Sequence, residues 1–273
     1  MPYITTPDNV KLYVKDWGHG RPVVMMHGWP LSADTFDDLG MAIASAGMRA
    51  IAYDRRGFGR SDQPWEGYVY DTLADDLAAV LQQTHAQDVT LLGFSMGGGE
   101  VARYLSRRGG KIVRQTILVA SIVPYMLKTA DNALGIDQTV FNGMGQLIAE
   151  DRAKFWSGFF KDFYGVGPQS QPVSDEVLEW SRDVAMQASL KATLDCAKAF
   201  SSTDFRPDLP AFRVPTLIIH GTGDKTVPID VSARQAAKGI AGSTLIEYEG
   251  GPHGLLASHK ARIISDVLEF VRY

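Results

Sequence analysis

The 273-residue sequence contains a single cysteine, Cys196. One thiol cannot close an intramolecular disulfide, so the chain suits a reducing compartment without requiring one. Cys196 falls in a helical-looking stretch, residues 189–200, where a small buried hydrophobe is the expected role. Long apolar runs are also missing. No segment approaches the roughly 20 residues that span a bilayer. The first residues, Met1-Pro2-Tyr3-Ile4-Thr5-Thr6, lack the charged and then apolar pattern of a secretory signal. A cytoplasmic protein without membrane contact is the expectation. An excess of positive charge is missing too. The net charge is −4, and Arg55, Arg56 and Arg60 form only a short local cluster, as do Arg107 and Arg108. A nucleic-acid partner is therefore not expected. No histidine or cysteine cluster has metal spacing. No G-x-G-x-x-G opens a helix after the first strand, and Gly223-Asp224-Lys225-Thr226 lacks the upstream glycine of a phosphate loop. Neither a metal nor an organic cofactor is expected. Internal repeats and low-complexity tracts are absent.

What is present is ordinary globular composition, 45% hydrophobic and 21% charged, on a chain long enough for a full core. Short apolar runs alternate with amphipathic stretches, the rhythm of a βαβ layout. Strands are expected at 11–17, 22–26, 49–53, 89–94, 112–120, 214–220 and 244–248. Helices are expected at 35–46 with Asp34 as cap, and at 70–84, 100–107, 231–240 and 261–272. That order predicts an α/β protein with a mostly parallel central sheet flanked by helices. Between 124 and 210 the strand signals vanish and aromatics accumulate. This stretch reads as a helical cap inserted into a core formed by residues 1–123 and 211–273.

The strongest local signal is Gly93-Phe94-Ser95-Met96-Gly97, a G-x-S-x-G placed between a strand and a helix. The nucleophile then sits on a tight turn, and the flanking glycines let neighbouring backbone pack close. A serine hydroxyl needs a base, and the base needs an orienting carboxylate. In the α/β-hydrolase fold these follow in the order Ser, acid, His. Asp224 follows the strand at 214–220, and His253 follows the strand at 244–248. Ser95, Asp224 and His253 thus lie in order at three strand ends, where open α/β sheets place their sites. The other histidines fit less well. His85 ends a helix, His19 sits in a Gly-flanked hairpin turn, and His259 is in or near the last helix. His220 reads as a satisfied core histidine, and His27 as a brace for its loop. Asp230 is the rival acid, but it reads better as a helix cap. For an oxyanion, the donors expected are the N–H of Met96 and that of Trp29 in His27-Gly28-Trp29-Pro30. Pro30 has no N–H to offer.

Five segments together resemble one family. They are Lys15-Asp16-Trp17-Gly18, His27-Gly28-Trp29, residues 53–61 (Tyr53-Asp54-Arg55-Arg56-Gly57-Phe58-Gly59-Arg60-Ser61), residues 93–99, and Ser189-Leu190-Lys191-Ala192-Thr193. The chain resembles the bacterial cofactor-free haloperoxidases and the related arylesterases, from about residue 11 to the C-terminus, cap included. The resemblance implies an α/β-hydrolase fold and a serine esterase of small or aryl esters. It also implies perhydrolysis, in which hydrogen peroxide intercepts the acyl-enzyme and the resulting peracid oxidises halide. Members with strong peracid chemistry carry a proline after the oxyanion-loop tryptophan, as Pro30 does here. A role for it would be to place the Trp29 carbonyl where it accepts a hydrogen bond from peroxide. By the same resemblance Ile122, Phe141, Phe155 and Phe159 line the acyl or alcohol pocket, although cap packing would explain the last two equally. Thr226 and Ile229 stand where relatives often carry larger apolar residues. Relatives are commonly homo-oligomers, yet no heptad or exposed apolar stripe here marks an interface.

The same triad serves lactonases, amidases and carbon–carbon bond hydrolases, and fold does not choose among acyl substrates. Haloalkane dehalogenases and epoxide hydrolases need a carboxylate where Ser95 stands. A reading of another class is a small-ligand receptor on a hydrolase fold; rapid turnover of a generic aryl ester would count against it.

Overall fold

Four apolar runs in this chain leave no polar face: β3 (Pro22–Met26), β5 (Val89–Phe94), β7 (Thr216–Gly221) and nearly all of β6 (Val113–Val119) are buried residue after residue. Strands of that kind must be covered on both sides, which is how a parallel sheet sits between helices. The computed structural model describes residues 2–272, so residues 1 and 273 of the core division lie outside the described residues. An eight-stranded sheet runs in the order β1-β2-β4-β3-β5-β6-β7-β8, with β1 (Tyr3–Thr5), β2 (Lys11–Gly18), β4 (Arg49–Tyr53) and β8 (Thr244–Tyr248) as its other members. The β1–β2 and β2–β4 pairs are antiparallel and the remaining pairs parallel.

The flanking helices are α1 (Asp37–Ser45), α2 (Tyr70–Gln83), α3 (Gly97–Arg108), α7 (Ala233–Gly239), α8 (Leu255–Ser258) and α9 (Lys260–Val271). The expected mostly parallel sheet with flanking helices is what the structure has. Several local expectations are corrected. Asp34 does not cap α1. The Ser32 hydroxyl accepts from the Asp34 amide (3.3 Å) and opens a 3-10 turn, Ala33–Phe36, ahead of the helix. The Asp34 carboxylate instead takes Arg60 (2.7 Å). Asp230 does not cap α7 either; it pairs with Arg234 at 2.9 Å. The turn holding His19 is no hairpin, because β2 and β3 lie on opposite sides of β4. Helix α3 begins three residues before the expected position, its first turn formed by Gly97, Gly98 and Gly99.

Residues 124–210 hold α4 (Gln138–Tyr164), α5 (Asp175–Gln187) and α6 (Leu190–Ser202), and a 3-10 turn, Arg206–Ala211, leads out of them. Helix α4 is kinked at Asp151, whose backbone is extended. The Asp151 carboxylate accepts from the Lys154 amide (2.9 Å), so it restarts the helix as an N-cap would. The expected aromatic density forms one cluster over the carboxyl ends of β3 and β5. The Trp29 ring packs edge-on against Trp156, Phe159 and Phe200, with centroids 5.0, 5.6 and 5.3 Å away.

Candidate active site

Ser95 follows the last residue of β5 and carries φ +54°, a region L-residues enter only when the surroundings demand it. Its neighbours explain the demand. A Cβ on Gly97 would lie 2.2 Å from the Met26 carbonyl oxygen, so the helix start can press against β3 only as glycine. A Cβ on Gly28 would meet the Phe94 ring at 2.9 Å and Ser95 Cβ at 3.0 Å. The loop after β3 therefore lies directly against the serine turn.

Ser95, His253 and Asp224 come together from the ends of β5, β8 and β7. His253 Nε2 is 2.9 Å from Ser95 Oγ, and His253 Nδ1 is 2.6 Å from Asp224 Oδ2. All three side chains are buried. The His253 ring is held between Phe94 (5.4 Å) and Phe163 (4.8 Å). The second Asp224 oxygen accepts from the amides of Thr226 (2.9 Å) and Val227 (2.7 Å). Burial alone would raise the Asp224 carboxyl, but charge on His253 and hydrogen bonds from His220 and His253 bring it down to about 2. An ionised carboxylate facing Nδ1 keeps the proton there and leaves Nε2 free to take the serine proton.

The amides of Met96 and Trp29 find no acceptor among the described residues. The first lies at the N-terminus of α3, where the helix dipole favours negative charge. Trp29 and Ser95 share the wall of one cavity of about 210 Å³. Of the expected pocket residues, Ile122, Phe141 and Phe159 line it, and Pro30 and Phe155 do not. Phe155 stacks behind Phe159, with centroids 5.6 Å apart, and faces a separate surface groove. Pro30 is buried outside the lining, its bond to Trp29 cis. Thr226 lines the cavity, whereas Ile229 is buried away from it.

Two features were not legible from the motifs. His220 is a core histidine, but it is only half satisfied. Its Nε2 lies 2.8 Å from the Val227 carbonyl and 3.2 Å from Asp224 Oδ2, while Nδ1 is buried with no partner among the described residues. A carbonyl only accepts, so the proton is on Nε2. The arginine cluster is not a surface patch. Arg55 and Arg56 are buried, Arg55 bonding Glu100 and Arg56 bonding Asp76 at 2.6 Å. The strand-end position of His220 and the acidic residues at 76 and 100 were the available signals, but neither betrays a partner in sequence. Cys196 is buried as expected, and burial pushes its thiol up to about 12. No helix among the described residues is long and apolar enough to cross a membrane.

A model of the alpha/beta hydrolase fold family matches residues 21–260. A non-heme chloroperoxidase of Kitasatospora aureofaciens is 40% identical over 99% of both chains. A bifunctional esterase/perhydrolase of Acinetobacter calcoaceticus is 38% identical over the whole of both. Among solved structures, a bromoperoxidase from Bacillus anthracis superposes with a TM-score of 0.96 at 42% identity, covering 99% of each chain.

Proposed function

The chain belongs to the alpha/beta hydrolase fold family, and from that membership and the geometry around Ser95 we propose a serine esterase of small carboxylic or aryl esters that also carries out perhydrolysis. Ser95 Oγ attacks the ester carbonyl as His253 Nε2 takes its proton. Asp224 stabilises the imidazolium and holds its orientation. The amides of Trp29 and Met96 take the oxyanion, each worth about 3 kcal/mol in the transition state. His253 then protonates the departing alcohol. Water attacks the acyl-enzyme to release the acid, or hydrogen peroxide attacks it to release a peracid. In both cases Ser95 recovers its proton through His253. A peracid formed this way can pass an oxygen atom to halide, giving hypohalite and the parent acid.

The observation that carries this reading is the Ser95–His253–Asp224 relay, with contacts of 2.9 and 2.6 Å, opening on a mostly apolar cavity whose lining also includes Asp162, Lys225 and Thr226. The likeness to an esterase/perhydrolase at 38% identity supports the second nucleophile. The cap is read as residues 124–210, closing that cavity from above. The partners are a small ester and peroxide. The test is turnover of p-nitrophenyl acetate, with and without hydrogen peroxide, by wild type, Ser95→Ala and Pro30→Leu. Serine-dependent release of p-nitrophenol with peracid formation is expected, and Pro30→Leu is expected to lower the peracid-to-acid ratio. Turnover without peracid would leave a plain esterase. Turnover that survives Ser95→Ala would end the reading.

A further inference from the structure

Beyond the triad, the buried contacts of His27 bear on how the oxyanion donors are aimed. His27 is 1% exposed and follows β3. Its Nε2 accepts the Arg55 backbone N–H at 2.9 Å. An atom facing an N–H must offer a lone pair, so the neutral ring carries its proton on Nδ1. Nδ1 lies 2.9 Å from the Gly28 carbonyl oxygen, so the ring donates to it. Burial, and then the neighbouring Arg55 cation, hold His27 well below the ordinary histidine range, which keeps the ring neutral and this proton arrangement fixed. Arg55 Nη1, 3.4 Å from Nδ1, is then a neighbour without a bond to it.

The Gly28 carbonyl and the Trp29 N–H belong to one peptide unit. In a planar trans peptide the two point in opposite directions, so whatever grips the carbonyl aims the N–H. Two donors grip it: the Leu31 amide at 2.9 Å, within the turn, and His27. We propose that His27 is a positioning residue whose Nδ1–H, bonded to the Gly28 carbonyl, aims the Trp29 N–H at the oxyanion. The assignment rests on the serine-esterase reading.

The chain of contacts goes further. Arg55 Nη2 donates to the His27 carbonyl (2.6 Å) and also to Glu100, whose second oxygen accepts from the Tyr53 hydroxyl (2.6 Å). Glu100 lies in the first turn of α3, the helix that begins beside Met96. His27, Arg55 and Glu100 therefore join the loop carrying one donor to the helix carrying the other. All three are buried, so the link is dry and little screened.

The test is kinetic and spectroscopic. In His27→Asn the side-chain amide stands where Nδ1 stood and can still donate to Gly28. In His27→Gln the polar group stands where Nε2 stood, meets the Arg55 N–H, and leaves the Gly28 carbonyl to the Leu31 amide alone. With p-nitrophenyl acetate, His27→Gln is expected to lose about ten- to a hundred-fold in kcat at nearly unchanged KM, less than the 10²–10³ typical of removing an oxyanion donor. His27→Asn is expected to stay within a few-fold of wild type. Equal kcat in the two variants, or a loss confined to KM, would overturn the assignment. The wild-type enzyme with 15N-labelled histidine gives a readout that needs no variant: the His27 proton is expected on Nδ1, and a proton on Nε2 would overturn the assignment even if a variant failed to fold. Absence of Ser95-dependent turnover in the wild type would instead remove the esterase reading on which the assignment stands.

Discussion

Asp224 shows how much one side chain can depend on its surroundings. Its two oxygens are supplied by two amides and by His253, with His220 close by. These partners favour the ionised form and bring the carboxyl from 3.8 to about 2. The unfolded chain therefore binds the proton first as pH falls. The stability Asp224 contributes is complete above about 3.8, and it drains away as pH drops from there towards about 2. Asn at 224 has no such titration. From pH 5 to pH 3, wild type should lose about 1 kcal/mol more stability than Asp224→Asn, measured by urea midpoints at each pH. Parallel curves would mean that the fold does not hold the carboxyl low. At neutral pH the same variant should lose on the order of 10⁴-fold in kcat, since an amide permits the wrong His253 tautomer.

At the scale of elements, the joint between β5 and α3 is closely packed against β3. Gly97 is the first residue of α3, and alanine is the better helix former by about 1 kcal/mol. Propensity loses here, because the added Cβ would meet the Met26 carbonyl oxygen at 2.2 Å, and backbone cannot turn aside. Gly143, inside α4, has nothing within 4 Å of its would-be Cβ. Gly97→Ala should therefore destabilise by several kcal/mol and abolish turnover, whereas Gly143→Ala should gain about 0.5–1 kcal/mol with activity unchanged. Urea unfolding of both variants checks the pair, and a gain at Gly97 would refute the close-packed joint. This contrast also marks what sequence can reveal. Strands β3, β4, β5 and β8 were legible residue for residue: β3 and β5 are apolar runs buried throughout, and β8 is a short β-prone segment ended by Glu249-Gly250-Gly251. The three-residue β1 is too short to show a period. The start of α1 was misplaced because a 3-10 turn opened by Ser32 precedes it, while the Asp34 carboxylate is taken by Lys15 and Arg60, contacts that local sequence does not show. In the site, Ser95, Asp224 and His253 were legible because fold order constrains them. Their partners were not: His27 meets Arg55 across 28 residues, and no local pattern encodes a contact between separate strand ends.

Across the whole molecule, α4, α6 and the residue before α6 are tied to the loops around Ser95. Trp29 Nε1 donates to the Thr193 carbonyl on α6 (3.0 Å). The Gly254 amide, next to His253, donates to the Phe163 carbonyl on α4 (2.8 Å), and the Ser189 amide donates to the Gly57 carbonyl (2.9 Å). These contacts reach the Trp29 loop, the His253 loop and the arginine loop, and α4 and α6 supply much of the wall of the cavity above Ser95. At about 210 Å³, that cavity falls below the 300–1,000 Å³ usual for drug-sized ligands, and short acyl chains should be preferred. Phe141 borders both this cavity and a groove of about 470 Å³ between α4 and α6. Removing its ring should join the two volumes and give a longer chain somewhere apolar to lie. Each buried methylene is worth about 0.8 kcal/mol, so the four that separate octanoate from butyrate could gain up to about 3 kcal/mol. Part of that is forfeited to the wall the ring no longer provides. For Phe141→Ala, kcat/KM on p-nitrophenyl octanoate relative to butyrate should rise about ten- to a hundred-fold. Phe141 is only partly buried, so thermal unfolding should shift little. An unchanged ratio in a folded variant would mean that the acyl chain leaves the cavity by another wall, and that the groove between α4 and α6 plays no part in acyl selection.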